Sequence, residues 1–268
     1  MSNSEYLRLE KEGNICNLVL SRPERLNAMD RGFFQAMGNA FEEIGKDEEI
    51  RAVIISGEGK AFSAGTDLKD LGNFLQGVGA KDRRALRGII EELQAGFDAV
   101  EQCDRPVIAA IHGYCIGGGV DLISSCDIRI ATRDAIFSIR ETRMAIVPDL
   151  GTVQRLPYII GHGYFRELAL TGRDFGAEEA YRMGLVTHLC KDKGELMEKA
   201  REIALEIASC PPLTVRALKE AIIFSRDYGV RAGLQVVAHM NAYNIPSEDL
   251  WEAMAAFKEK RRPRFLGQ

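Results

Sequence analysis

The sequence predicts an α/β fold in which parallel strands alternate with helices, followed by an all-helical C-terminal region. Two apolar runs, RAVIIS at residues 51–56 and PVIAAI at 106–111, are short and bounded by turn residues, as is typical of buried parallel strands. A helical segment separates the two runs, and from residue 152 onward helical spacing dominates. This order of elements indicates a core built with right-handed crossovers between parallel strands.

The N-terminal elements follow from turn residues and from the spacing of apolar side chains. Residues 6–9 and 15–20 flank a Gly-Asn turn, which predicts an opening hairpin. Asp30 is expected to cap the helix that comes next. Large apolar side chains recur there at every third or fourth position: Phe33, Phe34, Met37, Phe41 and Ile44.

The remaining elements are predicted in the same way. Up to residue 139 we expect a loop at 61–71, a helix at 83–100, the strand at 106–111, a helix at 120–125, and strands at 127–131 and 136–139. Later we expect helices at 177–183, 196–209 and 213–225, two more helices up to residue 257, and a brief strand at 185–188. No flexible linker interrupts the chain. We divide it into a core of residues 1–200 and a helical region of residues 201–268, which should pack on the core or on a neighbouring subunit.

The composition excludes several classes of protein. The 268 residues carry 35 Lys and Arg against 39 Asp and Glu, and 46% of them are hydrophobic, which is the balance of a globular protein. The net charge of −4, without a basic stripe in the first 250 residues, gives no reason to bind nucleic acid or an anionic membrane. The six cysteines are scattered without metal-ligand spacing, which predicts reduced, buried thiols, no bound metal and a cytoplasmic location.

Two glycine-containing segments follow the two buried strands and are candidates for ligand binding. They are residues 62–67 (FSAGTD) and residues 117–119 (GGG). Ligands collect at the carboxyl ends of parallel strands, where glycine lets backbone N–H groups approach closely. N–H groups from two loops that converge on one point would stabilise a developing oxyanion. The alternative is that the triple glycine is only a tight turn. Neither segment matches a dinucleotide or Walker phosphate loop.

Three carboxylates are candidates for proton transfer: Asp121, Glu141 and Asp149. If they face one cavity, desolvation and mutual repulsion would raise at least one pKa towards neutrality, as general acid–base catalysis requires. Each also has a purely structural interpretation. Asp121 would be a helix N-terminal charge, Glu141 would pair with a neighbouring arginine, and Asp149 would be a turn residue after a proline.

Five segments, in order along the chain, resemble the crotonase (enoyl-CoA hydratase/isomerase) superfamily. They are SRPERLNA at 21–28, AFSAGTDL at 61–68, IAAIHGYCIGGG at 108–119, CD at 126–127 and QRL at 154–156. The resemblance implies a spiral of ββα units with a C-terminal helical trimerisation region, assembled as homotrimers or dimers of trimers. It also implies an acyl-CoA thioester substrate whose enolate two peptide N–H groups hold, and no cofactor, since CoA is part of the substrate.

The resemblance also implies roles for individual residues. The N–H groups of Thr66 and Gly118 would form the oxyanion hole. Contacts with CoA would come from a cation and from the first glycine-containing loop: Arg25, Ser63, Ala64, Gly65, Asp67 and Leu68.

The acids distinguish the reactions of this superfamily. Hydratases have Glu at the position of Asp121 and usually Gly at that of Asp149, and they share Glu141. The combination found here is similar to Δ3,5-Δ2,4-dienoyl-CoA isomerases of fatty-acid β-oxidation, in which one proton leaves C2 and another arrives at C6. Glu141 and Asp149 would be the acid–base pair, and Asp121 would modulate their proton affinity. The alternatives are an enoyl-CoA hydratase or a related crotonase that acts on another acyl-CoA, and a non-catalytic or RNA-binding relative.

Overall fold

A six-stranded sheet forms the centre of the computed structural model, which describes residues 4–75, 79 and 82–268. In spatial order its strands are β1 (Leu7–Glu12), β2 (Ile15–Leu20), β3 (Ala52–Gly57), β4 (Val107–Ile111), β6 (Ile128–Thr132) and β9 (Leu189–Cys190). The β1–β2 pair is the predicted antiparallel hairpin, and each later pair in this sheet is parallel.

A second, three-stranded sheet lies beside the first. It contains β5 (Tyr114–Ile116), β7 (Ile136–Ser138) and β8 (Asp174–Gly176) in that order. The pairs β4–β5 and β6–β7 each supply one strand to each sheet before the chain enters a helical segment. This alternation is the predicted spiral of ββα units.

Ten helices are seen in the described residues, and three of them, α8 to α10, form the C-terminal region. They are α1 (Arg31–Lys46), α2 (Leu68–Leu75), α3 (Arg83–Gln102), α4 (Gly118–Ser124), α5 (Thr152–Thr171), α6 (Ala177–Arg182), α7 (Lys193–Ala208), α8 (Pro212–Tyr228), α9 (Val230–Asn244) and α10 (Glu248–Glu259). None of the helices in this described part of the chain is both long and apolar enough to cross a membrane.

Helix α1 shows how the sequence pattern becomes structure. The Asp30 carboxylate accepts a hydrogen bond from the Phe33 N–H and caps the helix, as predicted. The five predicted apolar positions are buried against the core, together with Ala40. Helix α1 packs on α3, whose Phe97 ring lies against the rings of Phe33 and Phe34.

Three local predictions are wrong. The predicted loop at 61–71 ends early, because the Asp67 carboxylate accepts hydrogen bonds from the N–H groups of Lys69 and Asp70 at the start of α2. The brief strand is Leu189–Cys190, where pairing with β6 is available, instead of 185–188. Cys210 is exposed, although the other five cysteines are buried as expected, and all six are free.

The C-terminal part of the chain packs directly on the core. Helix α7 spans residue 200 and buries Leu196, Ala200 and Ala204 against the six-stranded sheet. On α8, Lys219 is buried, and its Nζ lies 2.8 Å from Oδ2 of Asp127. The division at residue 200 and the oligomerisation role of the last three helices stay predictions.

Candidate active site

The two glycine-containing loops meet beside the strand pair β4–β5. Ser63 in the first loop forms a parallel bridge with Cys115 of β5, the strand that leads into the second loop. Gly65 has a φ of +86°, and a Cβ on it would lie 2.5 Å from the Ile116 carbonyl oxygen and 3.2 Å from the Gly118 nitrogen. Because any side chain at this position would collide with the second loop, glycine is required for the approach.

The peptide nitrogens of Thr66 and Gly118 belong to the two loops and lie close together: a Cβ on Gly118 would be 3.6 Å from the Thr66 nitrogen. Met29 holds the peptides on both sides of Thr66: its N–H donates to the Gly65 carbonyl, and its own carbonyl accepts from the Asp67 N–H, both at 2.8 Å. Gly118 is the first residue of α4, so its N–H has no acceptor within the helix. Throughout the described ranges, neither the Thr66 nor the Gly118 N–H donates to a protein acceptor. Both are available for a ligand.

Asp121 lies in the first turn of α4 and is 1% exposed. Its Oδ1 accepts a 2.8 Å hydrogen bond from the N–H of Thr152, the first residue of α5. Burial is the main reason that the pKa of Asp121 is raised to about 6, and the charge of Asp149 adds to it. Asp121 is therefore a buried acid shared between two helices, which is more than the helix-terminal charge of its structural interpretation.

Glu141 begins the 3₁₀ turn Glu141–Met144, and its Oε1 lies 3.1 Å from the position that a Cβ on Gly117 would occupy. Burial and then the charge of Asp121 raise the pKa of Glu141 to about 7. Its Oε2 is buried and has no hydrogen-bond partner within the described residues.

The neighbouring arginines do not neutralise Glu141. Arg140 pairs with Asp174, and the Nε of Arg143 donates to the Thr171 carbonyl at 3.1 Å. The structural interpretation of Glu141 as the partner of an adjacent arginine is therefore wrong. Its carboxylate is left facing Asp121 and the start of α4.

Asp149 is half-buried in the turn between Pro148 and α5. Burial raises the pKa of its carboxyl group, and its negative charge contributes to the raised pKa of both Asp121 and Glu141. The structure thus brings the three acids into one electrostatically coupled group, which titrates as a unit. Such a group holds protons near neutral pH and can both accept and donate them.

The residues predicted to contact CoA lie in and beside the first loop. Arg25 is largely exposed, and its Nη1 lies 3.2 Å from Oδ2 of Asp67. The Ser63 side chain is fully buried, where its Oγ donates to the Asn27 carbonyl and accepts from the Gly65 N–H. Ala64 is half-buried and Leu68 is exposed. The contacts of these residues with CoA stay predictions.

Sequence reasoning gave no role to Asn27, although it lies in the first of the five segments. Its side chain is buried, and its Nδ2 donates to the carbonyls of Ala61 and Phe62, while its Oδ1 accepts from the Arg22 N–H. Asn27 thereby fixes the segment that precedes the first glycine-containing loop. The sequence signal that could have indicated this role is the position of Asn27 between a leucine and an alanine, shortly after Arg22 and Arg25.

A metal site would require several His, Cys, Asp or Glu side chains grouped around one point. Over residues 4–75, 79 and 82–268, no three His, Cys, Asp or Glu side chains are grouped so that they could hold a metal ion.

Comparison with known proteins supports the same fold. Residues 10–268 match the family model described as enoyl-CoA hydratase/isomerase. The crystal structure of an enoyl-CoA hydratase from Bacillus anthracis is similar, with a TM-score of 0.90 and 35% identity, over 98% of this chain and 100% of that one. The predicted crotonase-like α/β fold is confirmed.

Two curated relatives are named Δ(3,5)-Δ(2,4)-dienoyl-CoA isomerases. The mitochondrial protein of Dictyostelium discoideum is 42% identical over 99% of this chain and 92% of its own length. The peroxisomal protein of Arabidopsis thaliana is 43% identical over 97% of this chain and 96% of its own length. The chain is therefore an enzyme of the enoyl-CoA hydratase/isomerase (crotonase) family, similar in sequence to dienoyl-CoA isomerases.

Proposed function

We propose that this enzyme converts a 3,5-dienoyl-CoA into the 2,4-dienoyl-CoA. The observation that carries the proposal is the group of three acids with raised pKa values, of which Asp121 is buried and Glu141 and Asp149 are half-buried. Beside them are two N–H groups that have no acceptor among the described residues. Carboxyl groups that hold protons near pH 7 are what a reaction made of two proton transfers requires. The similarity to proteins named dienoyl-CoA isomerases supports the same reaction.

The N–H groups of Thr66 and Gly118 bind the thioester oxygen in this proposal. When a carboxylate removes a proton from C2, the electron pair moves onto that oxygen and the enolate forms. Hydrogen bonds aimed at the oxygen stabilise this charge more than they stabilise the neutral thioester, so they lower the barrier.

The second proton transfer completes the isomerisation. As the enolate collapses, the two double bonds move from positions 3 and 5 to positions 2 and 4, and C6 takes a proton from a carboxylic acid. Glu141 and Asp149 are the pair that exchanges protons with the two carbons. Asp121, held between α4 and α5, raises the proton affinity of Glu141 by its charge. One proton leaves and one arrives, so no cofactor takes part.

The site also allows a second candidate function, enoyl-CoA hydration. The B. anthracis structure of similar fold is named an enoyl-CoA hydratase. Hydratases act on water with two acids at the positions of Asp121 and Glu141, and Asp149 has no part in that chemistry. Asp149 is therefore the residue that distinguishes the two candidates.

The test compares two assays on purified wild type and on Asp149→Asn. Wild type given a 3,5-dienoyl-CoA should produce the absorbance of the conjugated 2,4-dienoyl thioester, and the Asn variant should lose about 10²-fold or more of that rate. Hydration of crotonyl-CoA without isomerisation of the diene, unaffected by Asp149→Asn, would establish the hydratase instead.

We also propose the assembly and location predicted above. Large apolar side chains stay exposed on the last three helices of the single chain, among them Ile222, Val230, Leu234, Trp251 and Phe257, which supports burial in a homotrimer or a dimer of trimers. Six free thiols are compatible with a reducing compartment such as the cytoplasm. The relatives named above are mitochondrial and peroxisomal proteins, so fractionation of cells is the test of location.

A further inference from the structure

The turn that carries Asp149, residues 149–151, is held by two side chains from outside it. The Nε2 of Gln94, on α3, donates a 2.6 Å hydrogen bond to the backbone carbonyl of Asp149. The Nη1 of Arg155, on α5, donates to the next carbonyl, that of Leu150, at 3.3 Å. Two consecutive peptide groups of one turn are thus fixed by two different helices.

The arginine lies directly against the turn. Gly151 has a φ of +122°, and a Cβ on it would lie 1.8 Å from Nη1 of Arg155. Any other residue at this position would displace the guanidinium group and strain the backbone. The contact therefore needs the close approach that only glycine permits.

Arg155 is itself immobilised by carboxylates of α3. It is 7% exposed, its Nη2 donates to Asp98 at 2.5 Å, and its Nε lies 3.0 Å from Oε1 of Glu101. Glu101 also pairs with Arg226 of α8 at 2.5 Å. The Leu150 peptide is therefore anchored to an ionic network centred on the buried Arg155 and Glu101, whereas the Asp149 peptide is anchored by Gln94.

The carboxylate of Asp149 receives no hydrogen bond from another side chain in the described part of the chain. Its direction is then set by the peptide to which it belongs. Because the Leu150 carbonyl is held independently, loss of the Gln94 bond would free one peptide group without releasing the whole turn. A reacting group misplaced by about 1 Å can cost about 10²-fold in rate.

We propose that Gln94 is a positioning residue, which aims the Asp149 carboxylate at its reacting carbon through the hydrogen bond to the Asp149 carbonyl. This inference rests on the proposed isomerase function. It assigns Gln94 a role that is exerted through Asp149, so the effect of Gln94 should appear in kcat, should leave KM nearly unchanged, and should require Asp149.

The experiment is a double-mutant cycle on the full-length protein with a 3,5-dienoyl-CoA. Gln94→Leu removes the donor and keeps the approximate volume. Gln94→Glu is a second variant, which keeps the shape of this half-buried side chain and replaces the N–H donor by a carboxylate oxygen. Gln102→Leu, the same substitution at an exposed position of α3, is the matched control. We expect Gln94→Leu to lower kcat by about tenfold or more while KM changes less than about threefold.

To complete the cycle, the same Gln94 substitution is made in the Asp149→Asn variant, whose low rate is measured at high enzyme concentration. There Gln94→Leu should cost less than about threefold, because the group that it positions is already gone. Equal losses on both backgrounds, or a Gln94→Leu variant as active as Gln102→Leu, would overturn the positioning role. If Gln94→Leu does not fold, the same two comparisons apply to Gln94→Glu.

The two proposals fail in different ways. Isomerisation that depends on Asp149 and is indifferent to Gln94 would leave the function standing and overturn the inference alone. A wild type that does not convert the dienoyl-CoA would overturn the proposed function, together with the role that Gln94 has in it.

Discussion

The backbone N–H of Thr152 at the start of α5 donates a 2.8 Å hydrogen bond to Oδ1 of Asp121 in α4. One carboxylate thus satisfies an otherwise unpaired N–H of a helix and at the same time carries negative charge into the group of acids. The structural and electrostatic contributions of Asp121 are separable, because asparagine keeps an oxygen acceptor and lacks the charge.

Asp121→Asn should shift the pH dependence of the reaction without unfolding the protein. The charge of Asp121 raises the pKa of Glu141, so its removal lowers that pKa. We expect the limb of the kcat/KM profile that reports Glu141, near pH 7 in the wild type, to move to lower pH. The check is a profile from pH 5 to 9 for both proteins. An unchanged limb would show that Asp121 is not coupled to Glu141.

Asp121→Ala should in addition destabilise the protein, because alanine cannot accept the Thr152 hydrogen bond. The loss of a helix-terminal acceptor in a buried position costs about 1–2 kcal/mol of the free energy of unfolding. Urea unfolding of the Ala and Asn variants under the same conditions measures this difference in the free energy of unfolding. Equal stability of the two would mean that the hydrogen bond contributes nothing.

The Glu141→Gln variant should gain stability relative to the wild type as the pH rises from acidic to alkaline. Burial raises the pKa of Glu141 to about 7 in the folded chain, so the folded chain binds the proton more tightly than the unfolded one. The stability that this group contributes is full below about pH 4 and is lost as the pH rises to about 7. Glutamine does not ionise and loses nothing in that window.

The measurement is urea unfolding at pH 5 and pH 8. The difference in unfolding free energy between Glu141→Gln and wild type should rise by about 2 kcal/mol between these pH values. Glu198→Gln, at an exposed position of α7, is the control and should show no such rise. A constant difference for Glu141→Gln would contradict the raised pKa.

Gly118→Pro tests the oxyanion hole. Proline is tolerated at the first position of a helix, but it has no N–H to donate to the thioester oxygen. We expect kcat to fall by about 10²- to 10³-fold. Gly118→Ala keeps the N–H and brings a Cβ to 3.3 Å from Met29 Sδ, so its loss should be far smaller. Similar losses in the two variants would point to crowding instead of a missing donor.

Arg25→Gln tests the predicted contact with the CoA phosphates. Arg25 is largely exposed and lies 3.2 Å from the Asp67 carboxylate at the edge of the loop, so it supplies charge and little packing. We expect KM for the acyl-CoA to rise by about threefold to tenfold, with kcat unchanged and with a weaker dependence of KM on salt. Lys46→Gln, an exposed position at the end of α1, should change neither constant.

Much of the fold is predictable from local patterns. The cap at Asp30, the buried runs at β3 and β4 and the helical C-terminal region follow from residue spacing, because such segments bury one face or both faces in any fold that contains them. Short elements cannot be predicted from residue spacing in this way. The three residues of β5 form a strand because Cys115 bridges Ser63 and pairs with β7, partners that are remote in the sequence.

The family and the fold class follow from residue types in a fixed order, and the same pattern singled out the three acids as candidates. How these acids behave depends on tertiary contacts. Arg140 and Arg143 pair elsewhere and leave Glu141 uncompensated, Asp121 is shared with α5, and the Asp149 turn is held from α3 by Gln94. A pKa depends on burial and on distances between charges, and both are set by elements that meet only when the chain has folded.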